Sequence, residues 1–255
     1  MNSTTSDNPK RSIRIWSVAV WILIWHGLSA IIGKEVLLAS PVSVVHRLSQ
    51  LMMKIDFWKS ILFSVGRIVS GLLLAIVVAV FFAVLSVNFK RVEEFLAPII
   101  MIFTATPVAS ITILALIWIS SRNLSVLVSF MMVLPIIYTN VQTGIKNTDS
   151  LLLEMAAVFQ VPVLRKVSHI YIPQVMPYFQ SACLVGIGLC WKAGVAAEVI
   201  GIPKSSIGEQ LYMAKIYLAT ADLFAWTLTI IIISIAFERL FMLLMGFFAK
   251  RIERM

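Results

Sequence analysis

Apolar residues gather along this chain in six long blocks, with short polar stretches between them. The blocks cover approximately residues 15–32, 61–86, 94–118, 124–145, 178–200 and 223–248. As a helix rising about 1.5 Å per residue, each reaches across roughly 30 Å of hydrocarbon. The pattern predicts an all-α transmembrane fold with about six membrane-spanning helices. It forms one domain over 15–248, flanked by polar tails at 1–14 and 249–255. A signal peptide is the competing reading of the first block, but the block is long enough to span, and several further spans follow it.

Two connections carry elements of their own. Ser40-Pro41 is an N-cap followed by proline at the first helical position, so residues 41–54 read as a short interfacial helix. Residues 201–222 hold Gly201, Pro203 and Gly208, then an amphipathic stretch that folds back against the bundle. The longest connection, 146–177, predicts a helical hairpin. Asp149 or Ser150 caps a helix from Leu151 to about Phe159. Pro162 opens a second from Val163 to about Tyr171, and Pro173 and Pro177 end it.

Composition supports the bilayer reading. Hydrophobic residues make up 60% and charged ones 13%, against about 25% charged in a typical soluble domain. The mean hydropathy is +0.97. A net charge of +9 raises the question of nucleic acid. The basic residues, however, sit in pairs between apolar blocks, as at Lys90-Arg91 and Arg165-Lys166, which is the habit of cytoplasmic loops. With the N-terminus inside, eleven Lys and Arg fall on the inner segments and seven on the outer. Both termini are then cytoplasmic.

Charges within spans are costly, about 2.5–3.5 kcal/mol each at mid-membrane, and face protein or a wet cavity. Arg67, Lys192 and Glu198 are candidates for lining a path for a polar, anionic solute; equally, they hold helices together. Glu238 and Arg239 read as helix-holding charges. Small residues recur every fourth position at Ala182, Gly186, Cys190 and Gly194, and again at Gly71, Ala75, Ala79 and Ala83. Such stripes let helix backbones approach closely. Cys183 and Cys190 lie about 10 Å apart along one helix, too far to bridge within it. His26, His46 and His169 are scattered, which gives no support to a metal site. No phosphate-binding G-x-x-x-x-G-K-[ST] sequence occurs, so the chain is read as a non-enzyme.

The hairpin carries a resemblance. Glu154, Met155, Ala156, Gln160, Ile170, Ile172 and Pro173 fit the spacing of E-A-A-x₃-G-x₉-I-x-L-P, the cytoplasmic motif of type I ABC importer permeases. Met155, Gln160 and Ile172 depart from it. Gln160 stands where the motif has a glycine suited to φ > 0, and Val161-Pro162 is an alternative source of the break. Leu38 to Val44, Ser64 to Gly71, Pro98, Thr106-Pro107, Trp118, Trp191, Ala196 to Gly201 and Ile207-Gly208 are similar to the nitrate/sulfonate/taurine subgroup of that family.

The resemblance implies a permease subunit in a bacterial plasma (inner) membrane that binds no cofactor itself. It implies a second permease subunit as a homodimer, an extracytoplasmic solute-binding protein, and a cytoplasmic ABC ATPase dimer that uses ATP and Mg. The hairpin would be where the ATPase docks. The solute would be a nitrate, sulfonate or taurine type, or a vitamin precursor. A secondary transporter driven by an ion gradient, with Glu198 as proton carrier, is the alternative. It predicts inverted repeats, and the sequence shows none.

Overall fold

The computed structural model describes the backbone of residues 15–253 and the side chains of residues 16–247. Among the described residues every regular element is helical. That is what a backbone surrounded by hydrocarbon requires, since a helix satisfies its own amide groups. In chain order the helices are α1 (Ile15–Ile32), α2 (Pro41–Met52), α3 (Ile55–Asn88), α4 (Lys90–Ala105), α5 (Val108–Ala115), α6 (Ser121–Lys146), α7 (Ser150–Val158), α8 (Val163–Lys166), α9 (Ile172–Gly201), α10 (Ile207–Ile216) and α11 (Thr220–Glu253). A π-helical turn, Val167–Tyr171, joins α8 to α9.

Among the described residues four helical stretches are long and apolar enough to cross a bilayer: Ile55–Asn88, Ser121–Lys146, Val163–Gly201 and Thr220–Phe247. The bent pair α4 and α5 makes a fifth if counted as one span. The first predicted span is present as α1, whose 18 residues reach about 27 Å, slightly under the hydrocarbon thickness. The predicted tail at 1–14 lies outside the described residues. Of the tail at 249–255, α11 extends helically to Glu253, and residues 254–255 lie outside.

Two sequence expectations need correction. The block at 94–118 is not one continuous helix. It breaks at Thr106-Pro107 into α4 and α5, bent by 105°. Pro107 has no N–H to donate and forces its predecessor out of the helical region; Thr106 accordingly has ψ 130. The second error concerns Pro173 and Pro177, which do not end the second short helix. Helix runs unbroken from Val163 to Gly201, 39 residues in all. The π-helical turn stands directly before Pro173, and Ile172 N–H reaches back five residues to Val167 O. A ladder already widened there accommodates the missing proline N–H.

The core is a slab in which α6 packs along both α3 and α9, and α3 also touches α9 directly. Both small-residue stripes face into it. Gly71, Ala75, Ala79 and Ala83 are buried on α3, and Ala182, Gly186, Cys190 and Gly194 on α9. A Cβ added to Gly71 would lie 2.5 Å from Val126 O of α6, and one on Gly194 would lie 2.7 Å from Ser129 Oγ. α11 packs on α9, α10 and α2, and α4 lies against α3 and α6. α1 touches the bundle mainly near α2, where Trp25 Nε1 donates to Ala39 O at 3.1 Å and Ser29 Oγ to Leu38 O at 3.0 Å.

The predicted interfacial helix is α2. Ser40 Oγ accepts from Ser43 N at 3.1 Å, and Pro41 occupies the first turn. Arg47 of α2 grips Asp222 of α11, with Nη2 donating to Oδ2 at 3.0 Å and Nε to Oδ1. That carboxylate holds the Arg47 guanidinium above its ordinary pKa range through these hydrogen bonds. The predicted fold-back of 201–222 is α10, packed on α9 and α11.

The turn between α7 and α8 resolves the question at Gln160. Gln160 itself takes the left-handed conformation, with φ 50. Val161 N donates to Ala156 O at 2.9 Å, and Gln160 N to Ala157 O at 3.0 Å. Those two bonds are the Schellman pattern that a C-terminal glycine usually supports. A residue with a Cβ holds it at a cost of about 1–2 kcal/mol.

Two expectations follow for stability. Gln160→Gly relieves that cost and raises the melting temperature of the purified protein in detergent, by the equivalent of about 1 kcal/mol. Gly71→Ala drives a methyl into Val126 O and lowers it, by about 1–3 kcal/mol. Gly66→Ala on the same helix meets open space and leaves the melting temperature level or higher.

Candidate functional site

The hairpin is built to hold its shape. Asp149, rather than Ser150, is the cap of α7: its Oδ1 accepts from Leu151 N at 2.9 Å. The Asp149 amide donates to Gln174 Oε1 at 2.9 Å, which ties the start of α7 to α9. Lys146 Nζ meets Glu93 Oε1 at 2.6 Å, anchoring the end of α6 to α4. Gly144 lies against the Tyr178 ring, within 3.0–3.2 Å of a would-be Cβ.

What the hairpin presents outward is apolar. Leu151, Met155, Val158, Phe159, Val163 and Leu164 are exposed, Phe159 by 74% and Leu164 by 83%. A groove runs between its two arms, lined by Met155, Ala156, Phe159, Val161, Arg165, His169 and Ile170. Among the motif residues, Ala156 is buried, and its carbonyl accepts from Val161 N in the turn between the arms. Ile170 and Pro173 are half-buried, while Glu154, Met155, Gln160 and Ile172 are exposed. A contiguous apolar surface rimmed by charge is the mark of a protein contact or of lipid. The strict sequence spacing thus becomes one exposed ridge with a carboxylate, Glu154, on it.

The three intramembrane charges are placed differently from one another. Lys192 is exposed on α9. Glu198 is wholly enclosed, with 0% exposure. Arg67 is half-buried on α3, its guanidinium carbon 3.7 Å from the Phe63 ring centroid, a cation–π contact. Arg67 and Glu198 feel each other's charge, and Arg122 of α6 adds a second positive charge beside Arg67. They form no ion pair within 4.0 Å among the described residues. Among the described residues Arg67 Nη1 and Glu198 Oε1 are buried without a hydrogen bond that meets bonding geometry, and Ser125 acts on the Glu198 carboxylate.

The partners of Glu198 come from far along the chain. Its Oε2 accepts from Ser64 Oγ at 2.6 Å and from Gly208 N at 3.3 Å. Ser64 Oγ in turn accepts from Ile207 N at 2.9 Å. Residue reading identified Glu198 but gave Ser64 no role in a site. A serine one helical turn before Arg67 on the same apolar helix was the available signal. The Arg47–Asp222 pair left no signal at all, since its members are 175 residues apart.

Comparison with known proteins agrees with this architecture. The chain is 25% identical to a putative aliphatic sulfonates transport permease protein of Bacillus subtilis, over 81% of this chain and 75% of that one. It is 25% identical to the nitrate import permease protein of Synechococcus elongatus, over 71% and 68%. It is 26% identical to the bicarbonate transport system permease protein of a Synechocystis strain, over 64% and 61%. A family model matches residues 71–254, most of the chain, including both stripes and the hairpin. The chain therefore belongs to the binding-protein-dependent transport system inner membrane components, as a multi-pass permease subunit of an ABC importer.

Proposed function

We propose that two copies of this chain form a path for a small anionic solute, opened by alternating access and driven by a separate pair of ATPases. Those ATPases use ATP and Mg and dock on residues 151–172. The hairpin lies on the cytoplasmic side with both termini. A solute-binding protein delivers cargo at the opposite face, where α2 and α10 lie. The observation that carries this reading is the exposed apolar ridge of Met155, Val158, Phe159 and Leu164. It stands on a hairpin stapled to α9, so a push on the ridge moves a span rather than a loose loop.

The solute class rests on Arg67. Its buried Nη1 has no partner, and Arg122 adds positive potential beside it. An intramembrane cation in that state favours an anion in the path. Sulfonates, nitrate and bicarbonate, named for three relatives, are all anions. Lys192, exposed on α9, faces lipid headgroups or the second subunit.

Purified with its ATPase and binding protein in liposomes, the chain is expected to support solute-stimulated ATP hydrolysis and uptake. Uptake that persists without any ATPase would establish the ion-gradient reading instead. Glu154→Lys is expected to weaken co-purification of the ATPase by about tenfold or more while membrane insertion stays intact; unchanged docking would remove the hairpin from the interface. Arg67→Gln is expected to raise the KM for anion uptake by about tenfold, with ATPase docking unaffected.

A further inference from the structure

α9 ends in a corner whose backbone is forced. Ile202 and Ser205 both have positive φ, 46 and 60. For a β-branched residue such as Ile202 that conformation is a rare one, and it persists only where the surroundings over-determine it. Here the surroundings converge on one carboxylate. The first amides of α10 are donors that a helix cannot satisfy internally. Those of Ile207 and Gly208 end on Ser64 Oγ and Glu198 Oε2, and Ser64 Oγ donates onward to the same Oε2. The next amide, Glu209 N, is capped by Ser206 Oγ at 2.9 Å.

Backbone contact closes the knot. A Cβ on Gly208 would lie 2.3 Å from Glu198 Cβ and 2.4 Å from its carbonyl carbon. Only glycine lets α10 seat this closely on α9. Ser206, Ile207 and Glu198 are all at 0% exposure. Oε2 is taken up by the chain's own groups and Oε1 is enclosed by protein with Ser125 acting on the carboxylate, so at 0% exposure this side chain is out of reach of a passing solute.

We propose that Glu198 is a positioning residue that locks α10 to α3 and α9, so that α10 travels with the long helix as one body. The helix from Val163 to Gly201 has 39 residues without a break, a rod of about 58 Å. The hairpin is fixed at its first end and α10 at its last. A displacement applied to the ridge of α7 and α8 therefore arrives at α10, on the face where cargo enters. The direction of that drive rests on the importer reading; the knot itself does not.

The test separates the two. Amide hydrogen exchange at Ile207 and Gly208 is measured on the full chain in nanodiscs, for the wild type, Glu198→Gln, Glu198→Ala and Ser64→Ala. Uptake per ATP is measured for the same variants in liposomes with the ATPase and binding protein. Glutamine keeps an acceptor oxygen for Ser64 and Gly208, so Glu198→Gln is expected to retain protection and coupling. Glu198→Ala and Ser64→Ala are expected to exchange about fivefold to tenfold faster and to lose uptake per ATP, with the KM for solute unchanged.

Protection unchanged in both of those variants overturns the proposal. So does Glu198→Gln failing like the alanine variant with a raised KM, which would make the charge itself a reader of solute or proton. Should Glu198→Ala fail to fold, Ser64→Ala, which leaves the charge in place, decides the matter alone. A wild type that hydrolyses no ATP with its partners sinks the importer reading and leaves the exchange result standing.

Discussion

The fold depends on how closely α3 and α9 approach α6, and Ser129 marks the point. It lies between Gly71 on one side and Gly194 on the other, so close that a methyl on either glycine would meet it within 2.9 Å. Its hydroxyl donates to Cys190 O at 3.2 Å. In water, burial of apolar area would draw these helices together. In a bilayer lipid tails are as apolar as leucine, so association rests on close packing and interhelical hydrogen bonds. The alanine and glycine stripes supply that closeness along both interfaces of α6.

The same slab explains why function divides between two ends of the molecule. α9 is one wall of the slab and is helical well beyond it, continuing through the π turn into α8. Prolines at 173 and 177 mark the place where a soluble helix would stop. The widened turn stands directly before Pro173 and lets the helix pass it, and Pro177 lies inside the continuing α9. Pro107 has no such accommodation: the residue before it, Thr106, is extended as a following proline favours, and there the chain turns through 105°. Prolines in neighbouring spans thus have opposite outcomes, decided by whether the ladder ahead of them opens.

Polar groups within the apolar helices follow a parallel division. Glu198 is enclosed by Ser64, Ile207 and Gly208 and serves the architecture. Arg67 stacks on Phe63, keeps a buried nitrogen free, and stands beside a second cation. Burying a charge is costly unless it is paired or used. Glu198 Oε2 takes its partners from the chain itself, whereas Arg67 carries its charge with no acceptor on Nη1 among the described residues.

Much of this was legible in the residues alone. The six apolar blocks, the Ser40-Pro41 helix start, the stripes and the Glu154–Pro173 spacing all depend on neighbours within a few turns of helix, and local periodicity records such neighbours. The break at Pro107 and the unbroken passage at Pro173 were not legible, because both depend on how a backbone is held by what packs around it. Gln160 in a glycine's conformation is decided by the two amides of the turn, whatever the side chain prefers. The enclosure of Glu198 and the Arg47–Asp222 grip join residues 134 and 175 positions apart. Sequence fixes which side chains are available to such pairs; only the close packing of α3, α6, α9 and α11 determines which of them meet, because proximity across helices has no period along the chain.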